Sequence, residues 1–442
     1  NSGAVPSVDE QTSLARTLGL AVEQQFGIAD RLFVTAGIRR DRNSAFGSNL
    51  KAAYYPKASV SYVISDEGFF PKADWINQVR LRAAVGQSGQ RPGTTTALRF
   101  FGGTTFSADA VDQPAIVFSA LGNPDLKPET TSETEYGIDS KLFSNKLDIQ
   151  LTFYNKRTRD ALVARVLPPS LGAGSPTANN TRFENIGAVR NRGGELGVTA
   201  QLVDSRPFAW DFNFSGSRND NTLLALGSAP PVIGATTRQQ VGYPLNGYWS
   251  RPILSYADKN GDGIITADEI VVGDTAVFLG RSIPKYELSF NNGFDFFNKH
   301  LRLTAEVDRK SGFLLYNNTD RIRCQSRNNC IGLKDQAASF AEQARVVALR
   351  DHPSHTVAGF IEDASFWRFR ELALTLTPSN SFVSRYFRTD HGSLTFSARN
   401  LGKHTNYSGV DPESNYSSVD LPQDFQTAAP LTYYIVRLNF GI

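Results

Sequence analysis

The sequence predicts an all-β fold, a transmembrane antiparallel β-barrel of about 13 strands carrying long extracellular loops. Three observations point to it. Apolar and polar residues alternate with a period of two along segment after segment. The connections between those segments alternate between tight turns and long polar loops. No apolar run approaches the ~18–20 residues of a membrane helix, which excludes a helical membrane protein but not a barrel.

The strands are expected near residues 13–28, 31–41, 53–65, 77–88, 131–143, 146–160, 184–203, 208–220, 283–297, 300–314, 361–377, 392–402 and 431–442. In QVRLRAAVG, Val79, Leu81 and Ala83 oppose Arg80 and Arg82. In KLDIQLTFYN, Leu147, Ile149, Leu151 and Phe153 face one way, and Asp148, Gln150, Thr152 and Tyr154 the other. FAWDFNFSGS sets Phe208, Trp210, Phe212 and Phe214 against Asp211, Asn213, Ser215 and Ser217. HLRLTAEVD sets Leu301, Leu303, Ala305 and Val307 against Arg302, Thr304, Glu306 and Asp308. Each reads as a strand with one face in an apolar medium.

A soluble β-sandwich also alternates, but its apolar faces need a second layer, and it has no reason to alternate loop lengths. Here ADR, SN, DSRP and NK close tight hairpins, while residues 89–130, 161–183, 221–282, 315–360 and 403–430 form long connections rich in Gly, Asn and Pro. An outer-membrane barrel has that asymmetry, with short turns in the periplasm and long loops outside. If YYIVRLNFGI ends in the periplasm, odd-numbered strands run downward and the first begins outside. Single-chain bacterial barrels normally have an even strand number, so an odd count is not expected to close alone.

Lys and Arg number 46 against 43 Asp and Glu, net +3, which gives no electrostatic case for nucleic acid. Thirty Phe, 15 Tyr and 4 Trp suit strands and their turns. Methionine is absent even at position 1, and no signal peptide is present. The chain is therefore expected to begin at a processing site, at an imposed boundary or inside something larger. Cys324 and Cys330, in RIRCQSRNNCIG, close a short polar loop and are expected to form a disulfide in an oxidising compartment; two free thiols are the other reading.

The string DKNGDGIITADE (258–269) fills every position of an EF-hand calcium loop. Asp258, Asn260 and Asp262 take positions 1, 3 and 5, and Gly263 the sharp turn; Ile264 offers its carbonyl, Thr266 acts through water, and Glu269 binds with both oxygens. Flanking helices are not evident, and a metal-free polar turn is the other reading. A structural Ca²⁺ is expected here, because three carboxylates in one turn repel until a divalent cation neutralises them. No GxSxG, HExxH or GxGxxG supports an enzyme. His352 and His355, in DHPSH, lack a third ligand. Glu133 and Glu135 belong to a stripe facing the lumen, and Asp268 to the loop. The lumen charges Arg80, Arg82, Arg302, Glu306, Asp308 and Arg399 are expected to form ion pairs lining a wet interior. Tyr248, Trp249, Tyr407 and Tyr416 either stack on sugar rings, seat a lid or pack the loops together.

Specific strings carry a resemblance. LGNPDLKPETTSETEYGID (121–139) and NIGAVRNRGGELGV (185–198) resemble signatures in the second half of TonB-dependent outer-membrane receptors. DASFWRFRELALTL (363–376), SARNLGKHTNYSGVDPESN (397–415) and the aromatic C-terminal strand are similar to the SusC/RagA-like branch. The resemblance implies a Gram-negative outer-membrane barrel of about 22 strands, with a plug and a TonB box that this chain lacks. About nine further strands would complete it, agreeing with the odd count. It implies active import of an oligosaccharide, peptide or other nutrient, with a SusD-like surface lipoprotein as lid and TonB engaged through the plug. Residues 1–442 then read as the C-terminal part of the barrel, with 221–282 an extracellular loop carrying the calcium motif. A calcium-stabilised structural or adhesive surface scaffold is the alternative, and an outer-membrane enzyme a third.

Overall fold

A strand that meets hydrocarbon on one side and water on the other must keep its two faces chemically distinct along its length, and register then fixes which residues share a face. The computed structural model describes residues 10, 12, 14–109, 111–166, 181–414 and 422–441. It places 13 strands in one antiparallel sheet. They are β1 (Thr17–Ile28), β2 (Leu32–Asn43), β3 (Ala53–Val63), β4 (Ile76–Gln90), β5 (Glu129–Leu142), β6 (Leu147–Val166), β7 (Thr181–Asp204), β8 (Phe208–Ala225), β9 (Tyr286–Phe296), β10 (Leu301–Ser311), β11 (Phe366–Leu376), β12 (His391–Thr405) and β13 (Tyr433–Gly441). Each pairs with its sequence neighbours in that order. Among the described residues β1 and β13 each have one neighbour in this sheet, so these strands do not close on themselves.

The register separates the two faces row by row. Leu81, Ile138, Leu151, Leu196, Gly216 and Leu288 lie side by side across six strands. The adjacent row reads Arg82, Gly137, Thr152, Glu195, Ser217, Glu287 and Lys310. One face is therefore apolar and the other polar, as the alternation predicts. Among the described residues no second layer covers the apolar face: Leu20, Val22, Val436 and Leu438 stay exposed, and Phe214 packs sideways on Phe290 of the same sheet. Left-handed residues make the tight turns, with Phe143, Ser144 and Asn145 between β5 and β6, and Phe297, Asn298 and Lys299 between β9 and β10.

The largest fully buried side chains lie mostly in loops, among them Tyr248, Phe360, Leu349 and Val346. A wall one strand thick has no interior of its own, so the dry core of this molecule sits above it. Where the sequence suggests only polar connections, the loop after β10 folds into α1 (Asn318–Gln325), α2 (Ile331–Lys334) and α3 (Phe340–Arg350). The loop after β4 carries a hairpin (Phe100–Ala108 with Val111–Ala120), and the loop after β8 a small four-stranded sheet. A short helix, α4 (Asn380–Phe387), fills the turn between β11 and β12. The region expected as one strand at 361–377 is a short strand, Ile361–Asp363, followed by β11. Strands β6, β7 and β8 run beyond their expected ends and so stand above the apolar belt.

Candidate functional site

The polar wall is held by crossed ion pairs. Arg302 bridges Asp211 on β8 and Asp295 on β9, at 2.8 and 2.7 Å. Arg80 and Arg82 share Asp139, at 2.6 and 3.1 Å. Arg399 meets Glu371 at 2.7 Å, and Asp308 accepts from Arg370 at 2.5 Å. Glu306 lies directly across from Glu371 instead of a base. Between β6 and β10 the wall opens into a recess of about 600 Å³, lined by Gln150, Thr152, Glu195, Ser215, Ser217 and Glu306 among others. Hydroxyls, amides, carboxylates and the cations of Arg309, Lys310 and Arg370 there offer hydrogen bonds to a polar ligand.

Arg370 reaches the wall through a break in the pattern. Both neighbours of β11 skip it, pairing Phe369 and Glu371 on either side of a bulge. Arg370 then holds Glu413 at 2.7 Å, and Arg368 holds Asp411 at 2.5 Å. Both acids lie in SGVDPESN, so the loop after β12 folds back and is charge-locked to the wall. Arg368 and Asp411 are both almost fully buried. Burial pushes the Asp411 carboxyl up, but hydrogen bonds from Arg368 and the Glu413 amide and the charges of Arg368 and Lys403 outweigh it, holding it below its ordinary range.

Above the wall, three loops merge into one cap. Tyr248, Tyr316, Val346, Leu349, Phe360 and Ile361 share a core with Cys324 and Cys330. The two sulfurs are bonded to each other, with Cα atoms 5.0 Å apart. Arg345 on α3 joins Asp320, Glu342 and Glu362 at 2.6, 2.6 and 3.2 Å, and lies over the Phe360 ring. Tyr248, Trp249 and Tyr407 are buried. Tyr407 donates to Asp424 at 3.1 Å. Desolvation pushes the Tyr248 phenol well above its usual range. These three aromatics therefore pack the loops together and are not free to stack on a sugar; Tyr416 lies outside the described residues.

The calcium motif docks on this cap. Gln343 of α3 accepts from the Ile265 amide at 2.9 Å and donates to the Gly263 carbonyl at 3.1 Å. Ile265 and Ile270 pack on Ala344, Val347 and Ala348. Within the loop, Asp258 accepts from the amides of Gly261 and Gly263 at 2.7 and 2.9 Å. Gly261 and Gly263 take the left-handed backbone, φ +76 and +80, that the tight turn needs. Asp262 accepts from the Ile264 amide at 2.8 Å, and the Asn260 side-chain amide donates to Asp262 at 2.9 Å.

The donor chemistry at positions 258, 260, 262, 264, 266 and 269 suits a hard cation, and the turn backbone is in place. Both oxygens of Glu269 are spent, one on the Lys259 amide at 2.7 Å and the other on the Thr266 amide at 2.9 Å. Those bonds, with the Thr266 hydroxyl, hold its carboxyl down at about 2. Among the described residues no three His, Cys, Asp or Glu side chains are gathered as a metal cluster. The fit is thus of sequence and turn, with the carboxylates aimed at amides.

His352 contacts Ser354 at 2.8 Å and His355 the Leu349 carbonyl at 3.1 Å, beside the C-terminus of α3. Glu133 and Glu135 line a lumen recess of about 300 Å³ with Glu195 and Lys156. Residue-by-residue reading missed Arg368, Arg370, Asp411, Glu413 and Gln343. One signal was there: in FWRFREL, two successive charged residues, Arg370 and Glu371, break the period of two where the bulge lies.

A family described as TonB dependent receptor-like, β-barrel matches residues 1–401. TonB-dependent receptor P3 of Formosa agariphila is 24% identical over 425 residues, covering 88% of this chain and 41% of that protein. TonB-dependent receptor SusC of Bacteroides thetaiotaomicron is 23% identical over 430 residues, covering 88% of this chain and 40% of that protein. The RagAB peptide transporter superposes with a TM-score of 0.79 at 21% identity, over 96% of this chain and 47% of that one, and so shares the fold. The chain spans less than half the length of these relatives.

Proposed function

Because the chain belongs to the TonB-dependent receptor-like β-barrel family of the Gram-negative outer membrane, we propose that it forms wall and cap of a SusC/RagA-like importer for an oligomeric nutrient, oligosaccharide or peptide. The observation that carries this is the polar recess beneath a folded, cross-linked cap, with an apolar belt on the opposite face. Ligand binds among hydroxyls, amides and carboxylates of the wall, and transport needs no covalent step. Further strands complete the wall, a plug couples the barrel to TonB, and a SusD-like lipoprotein closes over the cap. The likeness to SusC and to RagAB supports this arrangement. Deleting the gene and measuring uptake of labelled glycan and peptide oligomers tests it. Loss of uptake of one class, restored by the wild-type gene, is expected. Undiminished uptake of both classes, with weakened cell-surface adhesion, favours the scaffold instead.

The same reading assigns Ca²⁺ to Asp258, Asn260, Asp262, Ile264, Thr266 and Glu269 as a stiffener of the cap. The filled motif and its left-handed glycines support it. Binding requires Glu269 to exchange amide hydrogen bonds for the ion. EGTA should raise proteolysis within residues 255–275; unchanged cleavage, with no Ca²⁺ heat on titration, identifies a metal-free turn.

A further inference from the structure

The apolar face of the sheet ends at its extracellular side in arginines. After Phe214 and Gly216 on β8 comes Arg218; after Leu196 and Gly194 on β7 come Arg192 and Arg190; after Leu151 and Phe153 on β6 comes Arg157. Arg157 lies directly across from Arg190, a like-charge pair that is unfavourable unless an anion sits between. Neither has a carboxylate partner among the described residues, and the Arg190 Nε is shielded from water with no hydrogen-bond partner. The acid nearby, Asp220, is already shared by Arg218, Arg281 and Lys285 at 3.0, 3.1 and 3.3 Å.

Directly below these arginines the outer face is hollow. A groove of about 770 Å³ runs over Leu151, Phe153, Phe214 and Leu288, with Arg190, Arg192 and Arg218 along its edge. Gly194 and Gly216 make the room. A Cβ at Gly216 would lie 2.8 Å from the Phe214 ring, and one at Gly194 3.1 Å from the Phe153 ring. An apolar channel open to hydrocarbon and topped by Arg157 and Arg190, which have no carboxylate partner among the described residues, matches an amphiphile with an acyl chain and an anionic head. A soluble ligand would leave the channel unfilled, and a neutral lipid would leave the arginines unanswered.

We propose that this groove binds a phosphorylated lipid of the outer leaflet, its acyl chain over Phe153 and Phe214 and its phosphate between Arg157 and Arg190. Phe153 and Phe214 lie on the face opposite the lumen, while Glu195 and Ser217 border both this groove and the lumen recess. Because Phe153 and Phe214 belong to the strands that carry the lumen recess, the lipid also steadies that part of the wall.

Full-length receptor, extracted in detergent and mixed with dioleoyl phosphatidylglycerol or dioleoyl phosphatidylcholine, is passed over a sizing column and its retained lipid phosphorus counted. Preference for the phosphatidylglycerol is expected, falling about fivefold per arginine removed, so about twenty-five-fold in Arg157→Gln/Arg190→Gln. Arg157→Lys/Arg190→Lys keeps most of it. Excess sn-glycerol 3-phosphate should leave the bound lipid in place. Heat-modifiable mobility on gels reports whether each variant has folded. If the Gln variant fails to fold, the wild-type comparison of the two lipids decides alone. Equal retention of the two lipids, an unchanged preference in the folded Gln variant, or displacement by sn-glycerol 3-phosphate overturns the proposal.

Discussion

Charging the outer face of β8 should be far more damaging than charging its inner face one residue away. Phe212 lies four residues above the periplasmic end of its strand at Phe208, next to Ala200 and Asn292 on the same face. Four residues climb about 13 Å along a strand, or about 10 Å along the membrane normal at the usual barrel tilt. Within a belt about 25 Å tall this puts Phe212 close to the midplane, where Arg costs about 2–4 kcal/mol. Asn213 is flanked by Thr199 and Asn291 on the wet face, two residues from Asp211. There an Arg meets water and an acid and should cost less than about 0.5 kcal/mol. The assay is the fraction of full-length receptor that reaches the outer membrane in heat-modifiable form, for Phe212→Arg and Asn213→Arg side by side. Equal assembly of the two, or failure of Asn213→Arg alone, would falsify the assignment of faces on which the fold rests.

The cap and its link to the wall offer three further tests. Arg345→Ala removes the cation shared by Asp320, Glu342 and Glu362 in a largely buried setting, leaving Asp320 with Arg323 alone. It should loosen α3 by about 3 kcal/mol, seen as faster amide exchange over residues 340–350, and normal exchange there would refute the role. Reducing Cys324–Cys330, whose sequence separation is 6, should lower cap stability by about 2 kcal/mol; the check is faster protease cleavage near α1 with no loss of barrel mobility on gels. The Asp411 carboxyl is held below its unfolded value, so its contribution is complete above the ordinary Asp range near about 3.9 and is lost as pH falls through the lower folded value. Acidification below that range should release the loop after β12 in the wild type but change little in Asp411→Asn, whose loop is already loosened at neutral pH. A wild-type loop still ordered at the lowest pH would count against the charge lock.

The wall was legible because two solvents impose its pattern. Between lipid and lumen every second residue must be apolar, and each of the 13 strands falls where that alternation places it. The pattern fades where its cause does. The upper ends of β6, β7 and β8 stand above the belt, where Leu223 is buried against a loop and not turned to lipid, and there the alternation no longer marks a strand. The helices of the cap were hidden for another reason: α1 and α2 are 8 and 4 residues long, too short to hold without tertiary contacts. The α3 sequence FAEQARVVALR does space Ala344, Val347 and Ala348 at helical intervals toward Ile265 and Ile270. A helical reading of that segment was available; its partner, in a loop about 80 residues away, was not.

Register explains why the charge-bearing residues are harder to read than the strands that carry them. Arg302 between Asp211 and Asp295 can be foreseen in kind, since a wet wall with both signs of charge will pair them. Arg368 and Arg370 cannot, because it takes a one-residue bulge in β11 to bring Arg370 to the same side as Arg368, where both meet Glu413. Their partners Asp411 and Glu413 come from a loop with no periodicity at all. Yet these contacts tie cap to wall. A cap built from three loops and fixed at Asp411 and Glu413 moves as a unit or by breaking a buried ion pair, and breaking one costs about 3–5 kcal/mol. On the proposed importer reading, opening of the barrel mouth falls to parts outside this lock, and bridging Arg370→Cys to Glu413→Cys with a cleavable, disulfide-containing bismaleimide should leave uptake intact. Loss of uptake on bridging, restored by reductant, would mean that the lock itself opens.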